Sequence, residues 1–220
     1  MQDYLKTIVA ALSLLTLIGA LYLGYAYWRD RTAVSSDPNL VELERYEKAK
    51  DYPGLANALF RKREGTAFSE AVLPWLAERE ELGFAPYLYA QALHLNVLQR
   101  PEEGIRYYFR AGLIARVDLL RCLDASAETL IMQMEELFPD ALDYLDENPG
   151  TRVAAGTLAL LKEEQAVHRP KPEWLCTYGE KKLSKYAAFT EDAAWQEKRL
   201  LALENFRVLI SERPQYPEGQ

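Results

Sequence analysis

An all-α chain with one membrane-crossing helix at its N-terminus is the fold class that the sequence predicts. Three observations predict it: an uncharged apolar stretch from Thr7 to Trp28, apolar residues recurring at spacings of three and four beyond it, and no sustained period-two alternation. The 220 residues are 49% hydrophobic and 11% aromatic, enough buriable surface to exclude a disordered chain. A formal net charge of −7, from 33 acidic against 26 basic residues, gives no footprint for a polyanion, so nucleic acid is not an expected partner.

The apolar stretch is 22 residues long, about 33 Å as a helix, against a bilayer core of ~30 Å. Tyr25, Tyr27 and Trp28 followed by Arg29 and Arg31 suit the headgroup layer at its end. Thr16, Ala20 and Gly24 form a small-xxx-small line that would admit a second membrane helix. Gly24-Tyr25-Ala26 also has the small-x-small form of a signal cleavage site, but Lys6 is the lone basic residue before the stretch, and the stretch is long for a signal. An anchor is therefore expected. The arginine excess after the span, Arg29, Arg31 and Arg45, leans toward a cytoplasmic C-terminal domain on a bacterial inner membrane, with the periplasm as the alternative.

The expected divisions are an anchor over 1–28, a linker over 29–38, a helical domain over 39–214 and a tail over 215–220. Asp37 and Pro38 read as a helix cap and first helical residue. Breaks follow at Pro53-Gly54, Gly65, Gly83, Arg100-Pro101, Pro139, Asn148-Pro149-Gly150 and the HRPKPEW stretch from His168, giving about nine helices. The helices PYLYAQALHLNVLQ and EEGIRYYFRAGLIARV, joined by Arg100-Pro101, must fold back as an antiparallel hairpin. Ile105, Tyr108, Phe109, Gly112 and Leu113 make one apolar face of the second, and Leu200, Leu203, Phe206 and Ile210 one face of the last helix, which Pro214 stops. Both faces are expected to be core.

At this hairpin the chain resembles a tetratricopeptide repeat. Leu88, Ala92 and Leu95 in the first helix, and Gly104, Tyr108 and Ala111 in the second, fall on that family's spacing, while Gln91 and Arg116 depart from it. Ala202, Phe206 and Pro214 echo the second half of the pattern, and the stretch around Tyr46, Asp51, Tyr52, Leu55 and Leu59 is similar to an inter-helix turn. The echoes stand 49 and 98 residues apart instead of 34, so the array is irregular. The resemblance implies a helical-hairpin domain that docks other proteins.

Motifs for chemistry are absent. Neither GxxxxGK[ST] nor GxGxxG occurs, nor GxSxG, HExxH or CxxC. His94, inside ALHLNVL, reads as a hydrogen-bonded core residue, and His168 as a helix cap. The pairs Glu80-Glu81, Glu102-Glu103, Glu135-Glu136 and Glu163-Glu164 read as solvated edges, because neighbours on a helix diverge by ~100°. Asp140, Asp143, Asp146 and Glu147 read as an acidic face without the glycine and final glutamate of a Ca²⁺ loop. Cys122 and Cys176 read as two half-buried thiols. No metal, cofactor or catalytic residue is expected, and a small-molecule ligand is not.

The expected function is a membrane-anchored adaptor or scaffold, a subunit of a membrane-associated protein assembly. A periplasmic, membrane-anchored chaperone-like factor and an enzyme without a recognisable motif are the alternatives. The expected partners are other proteins, membrane proteins of one assembly, and the bilayer itself through the anchor. Candidate contacts are Tyr87, Tyr89, Tyr107 and Tyr108, with Trp174 and Tyr178 on the basic, proline-stiffened loop of Arg169, Lys171, Lys181 and Lys182.

Overall fold

The computed structural model describes residues 37–61, 66–138, 144–145, 147–166, 169–178 and 189–211. The apolar stretch with Thr16, Ala20, Gly24, Tyr25, Tyr27, Trp28, Arg29 and Arg31 lies outside the described residues, as do His168, Lys181, Lys182, Pro214 and the tail. No helix among the described residues is long and apolar enough to cross a membrane. The chain divides into two compact units, Met1–Lys50 and Asp51–Gln220.

The described residues are all-α, with one isolated bridge between Cys122 and Phe189. In the first unit, α1 (Pro38–Ala49) begins as its sequence dictates: the Asp37 carboxylate accepts from the Asn39 amide at 2.8 Å and Pro38 occupies the first turn. Lys50, in the left-handed conformation at φ 55°, ends it.

The second unit contains α2 (Tyr52–Arg61), α3 (Thr66–Ala77), α4 (Ala85–Val97), α5 (Pro101–Leu119), α6 (Glu128–Glu135), α7 (Pro149–Gln165), the single turn α8 (Glu173–Cys176) and α9 (Asp192–Ser211). Pro53 and Gly54 begin α2 instead of breaking the chain, because the Asp51 carboxylate accepts the Gly54 amide at 3.0 Å. Gly83, at φ 60°, makes the left-handed turn into α4. The helices stack in the order α3, α4, α5, α7, α9, with α6 also against α5. That order makes α5 the central helix, and α4 is buried along its whole course from Ala85 to Leu95.

The α4–α5 hairpin closes through Leu98–Arg100. Its tight crossing is at Gly104, where an added Cβ would sit 3.0 Å from the Ala92 carbonyl oxygen. Gly156 of α7 plays the same part against α9, with Ile210 Cγ2 2.5 Å from its missing Cβ. One apolar cluster gathers Leu88, Tyr89, Ile114, Ile131, Phe138 and Leu175, and a second gathers Leu113, Val117, Leu160, Trp195, Leu203 and Ile210.

Two further sequence expectations are corrected by the structure. Leu200 is 64% exposed, and Arg199 takes the inward place because α9 seats a guanidinium between α7 and Trp195. The cysteines are not thiols: Cys122, in the turn after α5, is disulfide-bonded to Cys176 in α8, with Cα atoms 5.0 Å apart.

Candidate partner-binding surface

Two cavities flank α5, and each takes one of the two adjacent tyrosines of its sequence. Tyr108, Phe109 and Leu113 from α5, Leu145, and Phe206 and Ile210 from α9 wall an apolar cavity of about 290 Å³. Gly112 lines it as well, and Arg116, Glu135 and Arg152 provide its charged edge. Arg116 is held by Glu135 through two bonds of 2.6 and 3.0 Å, and Glu135 also accepts from the Tyr89 hydroxyl at 3.2 Å. Arg152, in the N-terminal part of α7, has no ion-pair partner among the described residues. Tyr108 also borders a small pocket of about 30 Å³ at Gly104 and Tyr144.

Tyr107 faces the other cavity, about 270 Å³, together with Glu80, Glu103, Arg106, Arg110 and Lys162. Glu80 is the hub: it accepts from Arg110 at 2.6 Å, from Lys162, and from the Tyr107 hydroxyl at 3.3 Å. Burial pushes the Glu80 carboxyl up, but Lys162, Arg110 and Tyr107 outweigh it and hold the group below the ordinary carboxylate range. Glu103 and Glu102 are spent on Arg100 and Arg106, and Glu81 stands 3.7 Å from Lys162. This cavity is therefore internally neutralised, and the apolar one is not.

Behind α5, a buried chain of alternating charges ties the last helices together. Asp118 pairs with Arg169 at 2.9 Å, Arg169 pairs with Glu163 at 3.0 Å, and Glu163 pairs with Arg199 at 3.2 Å. Arg169 also donates to the Gly83 carbonyl at 3.1 Å. Asp118 is fully enclosed, and burial pushes its carboxyl up to about 7 against the pull of Arg169. Just beyond, Arg121 bonds Asp192 at 2.6 Å and lies over the Trp195 ring, beside the disulfide. Glu163 is thus a buried hub rather than part of a solvated edge, while Glu80 and Glu135 are half-buried and tied to cations at the two cavities.

The candidate contact residues separate by exposure. Tyr87 and Tyr89 are 3% and 0% exposed, and Trp174 is 7% exposed. Trp174 stacks edge-on to Phe84 at 5.6 Å, and Phe84 to Tyr87 at 4.6 Å, so the loop's tryptophan tucks into the core. These three present no contact surface: α4 is buried from Ala85 to Leu95, the stretch that holds both tyrosines. Tyr107 and Tyr108 are half-buried at the two cavities, and Tyr178 is exposed, its hydroxyl donating to Gln133 at 3.0 Å. His94 is a core residue as read, 3.0 Å from the Ser69 hydroxyl, and burial lowers its pKa to about 4. Sequence reasoning missed Arg152, Glu135 and Phe206 as neighbours. Their separations exceed any local period, and the one available signal was Gly112 inside a helix. Among the described residues no cluster of His, Cys, Asp and Glu could hold a metal ion.

No protein family, no curated protein and no solved structure matches this chain.

Proposed function

We propose that this chain is a single-span membrane protein whose helical domain docks other proteins, as an adaptor within a membrane-associated assembly. The observation that carries the reading is the apolar cavity on α5: a tyrosine-edged recess with a charged rim, on the helix at the centre of the stack. Half-buried aromatic rings beside a recess are the usual form of an interaction hot spot. The apolar stretch over 7–28 supplies the anchor, and tethering raises the effective concentration of the domain beside its partner. The close crossing at Gly104 makes the α4–α5 pair a tight helical hairpin, the kind of unit a docking domain of this reading would be built from.

The Cys122–Cys176 disulfide favours the periplasmic side over the cytoplasm, since such bonds persist in oxidising compartments. The sequence pairs that side with the chaperone-like alternative. A recess sized for one or two side chains suits a defined partner better than unfolded clients. The test is a photo-crosslinking residue at Tyr108 in native membranes, with exposed Gln196 as control. Discrete adducts from Tyr108, with a C-terminal tag digested in spheroplasts, are expected. No adduct, or the same adducts from both positions, would overturn the docking reading, and a protected tag would overturn the periplasmic placement.

A further inference from the structure

Three glycines lie inside the long helices, and two are explained by packing. Gly104 admits the Ala92 carbonyl and Gly156 admits Ile210. Gly112 is different. A Cβ there would meet nothing closer than the tip of the Arg116 side chain at 3.0 Å, with Glu135 Oε1 and the Tyr89 hydroxyl at 3.6 Å. Arg116 is mostly exposed, and its guanidinium lies over Gly112 through bonds to Glu135 and the Gly112 carbonyl, so the nearest neighbour is the end of a long side chain and no helix backbone requires a glycine at this place. An interior helical glycine is destabilising relative to alanine. What its missing side chain leaves open is the edge of the apolar cavity between Tyr108 and the Arg116–Glu135 pair.

The cavity's charge is equally uneven. Arg116 and Glu135 neutralise each other, which leaves Arg152 as the rim cation without an ion-pair partner among the described residues. Arg152 also sits near the positive end of α7, whose first turn holds no acidic residue. The apolar walls take an aliphatic or aromatic side chain, and the volume of about 290 Å³ is enough for one or two. A carboxylate beside that side chain would complete the rim.

We infer that this cavity is a recognition site for a partner segment presenting an apolar side chain flanked by an acidic one, with Gly112 holding the recess open and Arg152 reading the carboxylate. The inference rests on the docking reading above and gives that surface a ligand class. The probes are capped, fluorescein-labelled pentapeptides with a central Phe or Leu flanked by Glu, Gln or Lys, titrated against the full chain in mild detergent and read by anisotropy. Glu-flanked peptides should bind at least tenfold tighter than Lys-flanked ones. Arg152→Glu should invert that order, and its rim position spares the packing. Gly112→Ala should weaken the Glu-flanked peptides several-fold and Gly112→Leu should abolish their binding, while the melting temperature of Gly112→Ala stays level or rises.

Equal affinity for Glu and Lys flanks, or no binding by any peptide, would overturn the inference. So would a fall in melting temperature for Gly112→Ala with peptide binding unchanged, which would assign the glycine to seating Arg116 against Glu135. Discrete cross-links from Tyr108 alongside failure of every peptide would leave docking standing and remove this ligand class alone.

Discussion

The α3–α5 end of the second unit and the α7–α9 end are held by different physics. At the first, Leu76, Trp75, Leu88, Tyr89 and Ile114 are buried at 0–2% exposure, and the enclosed polar pair is a neutral one, Ser69 with His94. At the second, two acidic and two basic side chains from α5, α7, α9 and the Arg169 strap are buried together, and a disulfide fastens α8 beside them. Apolar packing tolerates a lost methylene at moderate cost, whereas a buried ion chain fails when one member is removed, because its partner is left charged and dry. The two ends should therefore break differently.

The largest effect is expected from Glu163→Ala. It strands Arg169 and Arg199 and should destabilise the domain by about 3–5 kcal/mol in urea unfolding. A loss below ~1 kcal/mol would mean that water enters the cluster and that the contrast between the ends is false. Reduction of Cys122–Cys176, which spans 54 residues, should cost about 4 kcal/mol on the loop-closure argument and fall on the α8 side. Hydrogen exchange before and after reduction would show whether the loss concentrates in α8 and the Arg169 strap. At the apolar end, Gly104→Leu should cost about 1–3 kcal/mol by overpacking against Ala92, seen as a lower urea midpoint at constant slope.

Acid separates the two ends by sign. His94 has a folded pKa lowered to about 4 by burial, so its contribution is present above about 6.5 and is lost as pH falls toward 4, by up to about 3 kcal/mol. Asp118 is raised to about 7 by burial, so its contribution is present below about 4 and is lost as pH rises toward 7. The opposed slopes partly cancel in the wild type. His94→Gln should be more stable at pH 5 than at pH 7, and Asp118→Asn should lose stability on acidification more steeply than the wild type. Identical pH profiles for both variants would contradict the assignment.

What was legible in the sequence follows the same division. The α4–α5 hairpin, the Asp37-Pro38 start and the core place of His94 are encoded within a few residues by period, cap and connection length. The ion chain is not, because Asp118, Glu163, Arg169 and Arg199 carry the residue types of solvent-facing positions, and only the stacking of α5, α7 and α9 turns them inward. Leu200 and Arg199 show the cost of reading α9 by period alone: the apolar residue faces out and the charged one in. The cysteines, 54 residues apart, gave no local cue to pairing. Of the candidate contact site, Tyr107 and Tyr108 were readable as aromatics on the right helix. Tyr87 and Tyr89 looked the same in sequence and are buried, because α4 is covered by α3 on one side and α5 on the other.

The Cys122–Cys176 bond fastens α8 to the turn after α5, and the proposed placement of the domain outside the reducing cytoplasm stands or falls with it. Its most direct test is the thiol state of Cys122 and Cys176 in cells, trapped in acid and probed with a maleimide polymer with and without prior reduction. A disulfide-locked domain shows no mass shift until a reductant is added, then a shift of two polymer units. Two units added without reductant would contradict it, returning the domain to a reducing compartment and removing the lock from the α7–α9 end.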